Sequence, residues 1–150
     1  MIGWREWVAL PDWGVPAIKV KIDTGARTSA LHAFDIETFE ADGVAMARFA
    51  IHPWQDSASD VVVVEAPLLE RRQVRSSSGA AKVRPVVLTT MVLAGRSEQV
   101  EVTLTRRDEM GFRMLIGRQA LRRRFVVDSG RSYLCGKPDR SVLDRNRGRA

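Results

Sequence analysis

The feature that most constrains this chain is an alternating strand that runs straight into a turn carrying a carboxylate. Ile18, Val20 and Ile22 alternate with Lys19 and Lys21, the period of two expected of a strand with one apolar face. Asp23-Thr24-Gly25-Ala26 follows at once. Gly25 permits a tight turn that a residue with a Cβ resists, and the Thr24 hydroxyl can join the network that holds such a turn. Asp23 then projects from a strand end, where a functional group is held firmly. Read alone, Asp-Thr-Gly also suits an ordinary surface turn.

A second segment narrows the choice. Met114-Leu115-Ile116-Gly117-Arg118, followed by Ala120 and Leu121, reads as a buried strand entering a short helix. By itself it would be a strand with a capping glycine. Between the two segments lie Lys82-Val83-Arg84, the apolar run Val86 to Leu93, and Val100 to Leu104.

Together, in this order, the segments resemble the retropepsins, the one-domain dimeric aspartic peptidases. Those enzymes carry D-T-G-A early and an apolar-apolar-Gly-Arg/Asp segment before a short helix late in the chain. The stretches Lys21 to Ala33, Val74-Arg75-Ser76-Ser77-Ser78-Gly79, Arg84-Pro85-Val86-Val87 and Phe112 to Arg118 are similar to a bacterial and archaeal retropepsin-like family. Its members are labelled ATP-dependent zinc proteases and are associated with RimK-type glutamate ligases. The resemblance covers roughly residues 3 to 136.

The resemblance implies a homodimer with one Asp23 per subunit, because aspartic peptidase chemistry needs two carboxylates. Two such groups about 3 Å apart share one proton, and a two-fold axis would bring Asp23 and its mate together. It also implies that Asp23, Thr24 and Gly25 form the catalytic turn and that Gly117 and Arg118 support it. Ala26, Arg27, Arg75, Ser76, Ser77, Ser78, Gly79 and Arg84 would bind a peptide or protein substrate. The flap, a hairpin closing over substrate, would be Val74 to Arg84 with its tip at Ser76 to Gly79; a plain solvent loop is the other reading. The sequence departs from the retroviral pattern at Arg27, which stands where an Asp commonly pairs with the Arg of the Gly-Arg segment. Arg118 is thus expected to lack its usual partner. Lys21 is polar where an apolar residue is usual.

The family label is not matched by a metal or nucleotide motif. There is no H-E-x-x-H, His32 and His52 are the only histidines, and Cys135 is the only cysteine. A catalytic zinc takes about three protein ligands, so no metal is expected. No G-x-x-x-x-G-K-[ST] loop cradles phosphates, so no cofactor is expected and any ATP dependence would belong to a partner. The zinc-protease reading stands third.

Val126-Val127-Asp128-Ser129-Gly130 looks like a second catalytic loop, as in a two-lobed enzyme. Only twenty residues follow Gly130, too few for a second lobe. The expectation is a hairpin turn leading to Tyr133-Leu134-Cys135, near the dimer interface that the resemblance implies.

Composition sets the remaining limits. At 150 residues the chain suits one domain with a real core, here residues 1–136, and a polar tail, 137–150, that reads as disordered. There is no long apolar run to cross a membrane, and Met1 to Glu6 does not read as a signal peptide. A single cysteine rules out an intramolecular disulfide and suits the cytoplasm.

The expected fold is all-β, a small closed acid-protease barrel with one short helix at Arg118 to Arg124. Expected strands include Trp7 to Leu10, Val61 to Glu65, and Leu31 to Glu40 with Val44 to Ile51 around the hairpin turn Asp42-Gly43.

The net charge is +6, carried mostly by Arg. Arg27 and the group Arg71, Arg72, Arg75 and Arg84 suggest an acidic, glutamate-rich substrate, since Arg grips carboxylates bidentately. Arg122-Arg123-Arg124 reads as a solvated face. Charge would allow nucleic acid, but no RNA-binding motif is present and aromatics are few. The main reading is a homodimeric aspartic peptidase. The alternative is a non-catalytic peptide-binding or accessory protein linked to a RimK-type ligase.

Overall fold

Alternating apolar and polar positions build almost all of this molecule. The computed structural model describes residues 1–52, 61–75, 81–105 and 112–138. In chain order the strands are β1 (Ile2–Gly3), β2 (Arg5–Leu10), β3 (Val15–Asp23), β4 (Ser29–His32), β5 (Phe34–Ala41) and β6 (Val44–Ile51). They continue with β7 (Val62–Arg75), β8 (Ala81–Leu93), β9 (Arg96–Thr105), β10 (Met114–Gly117) and β11 (Val127–Asp128). The helix α1 (Arg118–Leu121) follows β10, and a 3-10 turn, Pro11–Trp13, joins β2 to β3.

Neighbouring strands run in the order β2-β3-β10-β4-β9-β8. Ala9 of β2 pairs with Val92 of β8, which closes six strands into a barrel. β7, β6 and β5 continue from β8 as a flange. The barrel interior is filled by the inward phase of each strand: Val8 and Leu10, Ile18 and Val20, Leu31, Val87 and Met91, Leu104, Met114 and Ile116. Trp13 meets Phe49 of β6 edge-to-face, with centroids 5.3 Å apart, the geometry that ring quadrupoles favour.

The central insertion decides what the barrel can present. β10 runs parallel to β3 and antiparallel to β4, and β4 runs parallel to β9. A segment from late in the chain therefore lies between two early strands. Parallel neighbours cannot be joined by a tight turn, and here residues 24–113 separate β3 from β10.

Several expectations hold in detail. Asp42 and Gly43 both have positive φ, 51° and 78°, and join β5 to β6 in the tight turn that matches strand twist. A like turn at Ala94 and Gly95, with φ of 53° and 76°, joins β8 to β9; Ala at the first position hides it in the sequence.

Others are corrected. Leu31 belongs to β4, and the hairpin starts only at Phe34. The run expected at Val61 to Glu65 is the beginning of a strand that continues to Arg75. α1 is shorter than Arg118 to Arg124: Arg122 is already extended, with φ −56° and ψ 126°, and Arg123 has φ 64°.

The hairpin expected from Asp128 to Cys135 does not form. β11 pairs instead in parallel with β1, Ile2 with Val127 and Gly3 with Asp128. Residues 131–138 then cross β2 as a strap, because a buried carboxylate, Glu6, accepts the Leu134 and Cys135 N–H groups at 2.9 and 3.2 Å. Of the expected tail, Lys137 lies over the Tyr133 ring at 4.9 Å, and residues 139–150 lie outside the described residues. Among the described residues, no helix is long and apolar enough to cross a membrane.

Candidate active site

Asp23 is the last residue of β3 and is half-buried. Its neighbour across the parallel ladder is Gly117, the last residue of β10. The two sequence segments thus end side by side.

The turn after Asp23 is closed by Asp23 itself. Its Oδ1 accepts the Gly25 N–H at 3.0 Å, and its carbonyl accepts the Ala26 N–H at 3.2 Å. The turn engages Oδ1 alone. Gly25 is not in the left-handed region, so backbone freedom is not its reason. A Cβ there would lie 3.2 Å from Asp23 Oδ1, crowding the oxygen that the turn uses. Thr24 is exposed and does not supply the closing hydrogen bonds; its place is at the rim of the adjoining cleft.

The Gly-Arg segment clamps this loop from the other side. The Arg118 N–H donates to Ala26 O at 2.8 Å, and the Gln119 N–H to Arg27 O at 3.1 Å. The first N–H groups of α1, which lack partners within the helix, therefore hold the loop's carbonyls. The Arg118 guanidinium donates from Nη1 to Gly25 O at 3.2 Å. With Arg at position 27, Arg118 has no carboxylate there to pair with, and it grips the backbone of the Asp23 turn instead.

Gly117 has a packing reason. A Cβ there would come within 2.5 Å of the Thr28 backbone, a distance no side chain tolerates. Its N–H donates to Ser29 Oγ at 3.1 Å, in the interior. Ser29 is 2 % exposed and was given no role by sequence reasoning. Its only signal is a hydroxyl at an inward strand position, and that means nothing until β10 is known to lie alongside.

Beside the turn opens a cleft of about 670 Å³. Thr24, Arg27, Arg118 and Arg122 border it, over apolar Leu121 and Phe125. Among the described residues, none lining it carries a carboxylate. Arg122, read from the sequence as a solvated face, belongs to this border.

The Arg group of the expected flap is not one cluster. β7 and β8 form a long antiparallel hairpin ending at Arg75 opposite Ala81. Arg72 stands opposite Arg84, and Arg71 opposite Pro85. Cross-strand partners share a face and successive residues alternate, so Arg71 faces away from Arg72 and Arg84. Arg72 is already held by Glu101 at 3.0 Å and Glu70 at 2.6 Å, and Arg71 donates to Thr38 Oγ1 at 2.7 Å. Ser76, Ser77, Ser78 and Gly79 lie outside the described residues, as does the Arg75 side chain.

Asp128-Ser129-Gly130 reproduces the local turn at Asp23-Thr24-Gly25. Asp128 Oδ1 accepts the Gly130 N–H at 2.9 Å, against 3.0 Å for Asp23 and Gly25. It ends a two-residue strand that pairs with β1 in a separate two-stranded sheet, and among the described residues no Gly-Arg segment is clamped over it.

The donors expected of a zinc site are scattered. Among the described residues, no three His, Cys, Asp or Glu side chains gather to hold a metal ion. His52 stacks on the Phe34 ring at 4.6 Å. The described residues do not fit a catalytic zinc.

Comparisons with known proteins agree with this geometry. A family model described as RimB-like, retropepsin-like aspartic endopeptidase RimB, matches residues 1–138. A protein of Shewanella pealeana named "Probable alpha-L-glutamate ligase" is 42% identical over 137 residues, which cover 91% of this chain and 30% of that protein. One of the same name from Parasynechococcus marenigrum is 45% identical over 136 residues, 91% of this chain and 29% of its own length. The chain thus spans about 30% of the length of the curated relatives it matches. Among solved structures, a Legionella pneumophila protein of unknown function superposes with a TM-score of 0.74 at 25% identity, covering 89% of this chain and 96% of that one.

Proposed function

Because the chain belongs to the RimB-like family of retropepsin-like aspartic endopeptidases, we propose that it hydrolyses peptide bonds as a homodimer with Asp23 from each subunit at the axis. The observation that carries this reading is the clamp on Asp23. Its strand end is paired with Gly117, and its turn is held by Arg118 and Gln119. Such preorganisation is what a reacting carboxylate requires.

In the proposed reaction the two Asp23 carboxylates share one proton. The ionised one takes a proton from water as the water oxygen attacks the scissile carbonyl carbon. The protonated one donates to the carbonyl oxygen. Collapse of the tetrahedral species breaks the C–N bond, and a proton passes to the leaving nitrogen. No step uses a metal.

The cleft bordered by Arg27, Arg118 and Arg122 supports a preference for acidic peptides, glutamate-rich tails among them. That relatives named as glutamate ligases contain this region is consistent with such a substrate, and with a site of action in the cytoplasm alongside a ligase of RimK type. The same observation favours one other reading, a non-catalytic peptide-binding module serving a ligase.

Sedimentation over a wide concentration range, paired with peptidase assays of Asp23→Asn, tests the proposal. A dimer that cleaves peptide and loses turnover in the variant supports it. A strict monomer at every concentration leaves the carboxylate unpaired and removes the basis of the reading. Retention of function in Asp23→Asn favours the binding module.

A further inference from the structure

Among the described residues Glu6 is the only buried carboxylate, with 0% of its surface exposed. It occupies the inward phase of β2 that Val8 and Leu10 continue, where an apolar side chain would pack at no cost. A buried carboxylate is costly unless its hydrogen bonds are complete. Glu6 meets that cost with three backbone donors. Oε2 accepts the Gly3 N–H at 2.7 Å and the Leu134 N–H at 2.9 Å, and Oε1 accepts the Cys135 N–H at 3.2 Å. One side chain thus ties the start of the chain to the strap near its end.

Between Gly3 and Glu6 lies Trp4, whose carbonyl accepts the Ile22 N–H at 2.7 Å. Ile22 immediately precedes Asp23. The Trp4 N–H donates to Arg131 O at 2.8 Å, and the Tyr133 N–H to Arg5 O at 3.0 Å. Gly3 is pressed so close to the strap that a Cβ would fall 2.3 Å from Arg131 O. The end of β3 is therefore held on one flank by β10 and on the other by Trp4, and Trp4 is held by the loop that Glu6 closes.

We infer that Glu6 is a positioning residue for Asp23, acting through the Trp4–Ile22 hydrogen bond. The inference rests on the peptidase reading. A dyad needs its carboxylates about 3 Å apart, and a displacement of about 1 Å can cost about a hundredfold in rate. The clasp sets one of the two flanks that determine where Asp23 stands.

Glu6→Gln keeps one acceptor oxygen and removes the charge; Glu6→Ala removes both. In Glu6→Gln, kcat should fall about tenfold with KM within about twofold, Asp23's own chemistry being untouched. The Ile22 amide should exchange with solvent about tenfold faster, and Glu6→Ala should go further in both. Activity is scaled to folded protein by thermal unfolding, so a variant that only melts earlier shows unchanged kcat, and that result overturns the inference. Faster exchange at Leu134 and Cys135 but not at Ile22 also overturns it. If the wild-type protein cleaves no peptide, the peptidase reading fails. Exchange at Ile22 then decides alone whether Glu6 holds the end of β3.

Discussion

The Arg118 guanidinium donates to the carbonyl oxygen of Gly25 at 3.2 Å, so a side chain from the end of the barrel steadies the turn that begins at Asp23. The contact replaces the ion pair that position 27 would supply were it an Asp. The contact is exposed, so its value lies in orientation more than in stability.

Arg118→Ala should lower kcat about tenfold, about 1.4 kcal/mol of barrier, and change stability by less than about 1 kcal/mol, as exposed polar contacts do. Arg118→Lys should recover only part of the loss, because an ammonium lacks the planar fork. Steady-state kinetics beside thermal melts check both. Gly117→Ala should behave oppositely. Its Cβ meets the Thr28 backbone at 2.5 Å, and relieving that contact should destabilise the fold by about 1–3 kcal/mol.

Asp23 and Asp128 occupy near-identical local turns, with N–H to Oδ1 distances of 3.0 and 2.9 Å. Asp23→Ala should abolish peptidase activity, whereas Asp128→Ala should affect stability more than turnover. A statine-type inhibitor should reduce activity and a chelator should leave it intact. Loss of activity to a chelator, reversed by added zinc, would mean that a metal and not the carboxylate pair does the chemistry.

Peptides with Glu runs should be cleaved faster than matched peptides with Gln runs. Arg27 and Arg122 border the cleft beside the Asp23 turn. Each charged hydrogen bond could contribute about 1.5–3 kcal/mol if desolvated. Added salt should narrow the gap, and Arg27→Glu should shrink or invert it. Equal rates at low salt would leave these arginines without a role in specificity.

Cys135 offers a pH test of the clasp. The residue is exposed, yet the thiol lies toward Glu6. Its desolvation first, and then the nearby Glu6 carboxylate, push its pKa above the ordinary thiol value. Alkylation by iodoacetamide at pH 8 should be slower than for an unstructured cysteine peptide, since only the thiolate reacts. The raised folded value means that the thiol's contribution to stability is complete below its unfolded pKa. It is lost as pH rises through the folded one. In Glu6→Gln the burial remains and the charge is gone, so the alkylation profile should shift part-way back. An unchanged profile would show that Glu6 does not act on the thiol.

Much of this was legible in the sequence because it is local. The alternation of Ile18, Val20 and Ile22 specifies a strand whatever surrounds it, Asp42-Gly43 specifies a tight turn by its own backbone, and Asp23-Thr24-Gly25-Ala26 marks a carboxylate at a strand end. The order of the two motifs, with the stretches around and between them, was enough for the barrel and its family. What the tertiary structure alone decided is every relationship between distant segments. Only when β10 slides between β3 and β4 does Gly117 stand beside Asp23, Ser29 acquire a partner, and Arg118 reach Gly25 O. Only the alternation of faces across β7 and β8 separates Arg71 from Arg72 and Arg84, which the sequence groups around one expected flap. Glu6 carried no signal at all: a charge in the inward phase of β2 looks like an exception to a pattern. Its meaning depends on three N–H groups, two of them contributed by residues 134 and 135. Hydrophobic periodicity records which way a residue faces, and it holds no information about which distant backbone will arrive there.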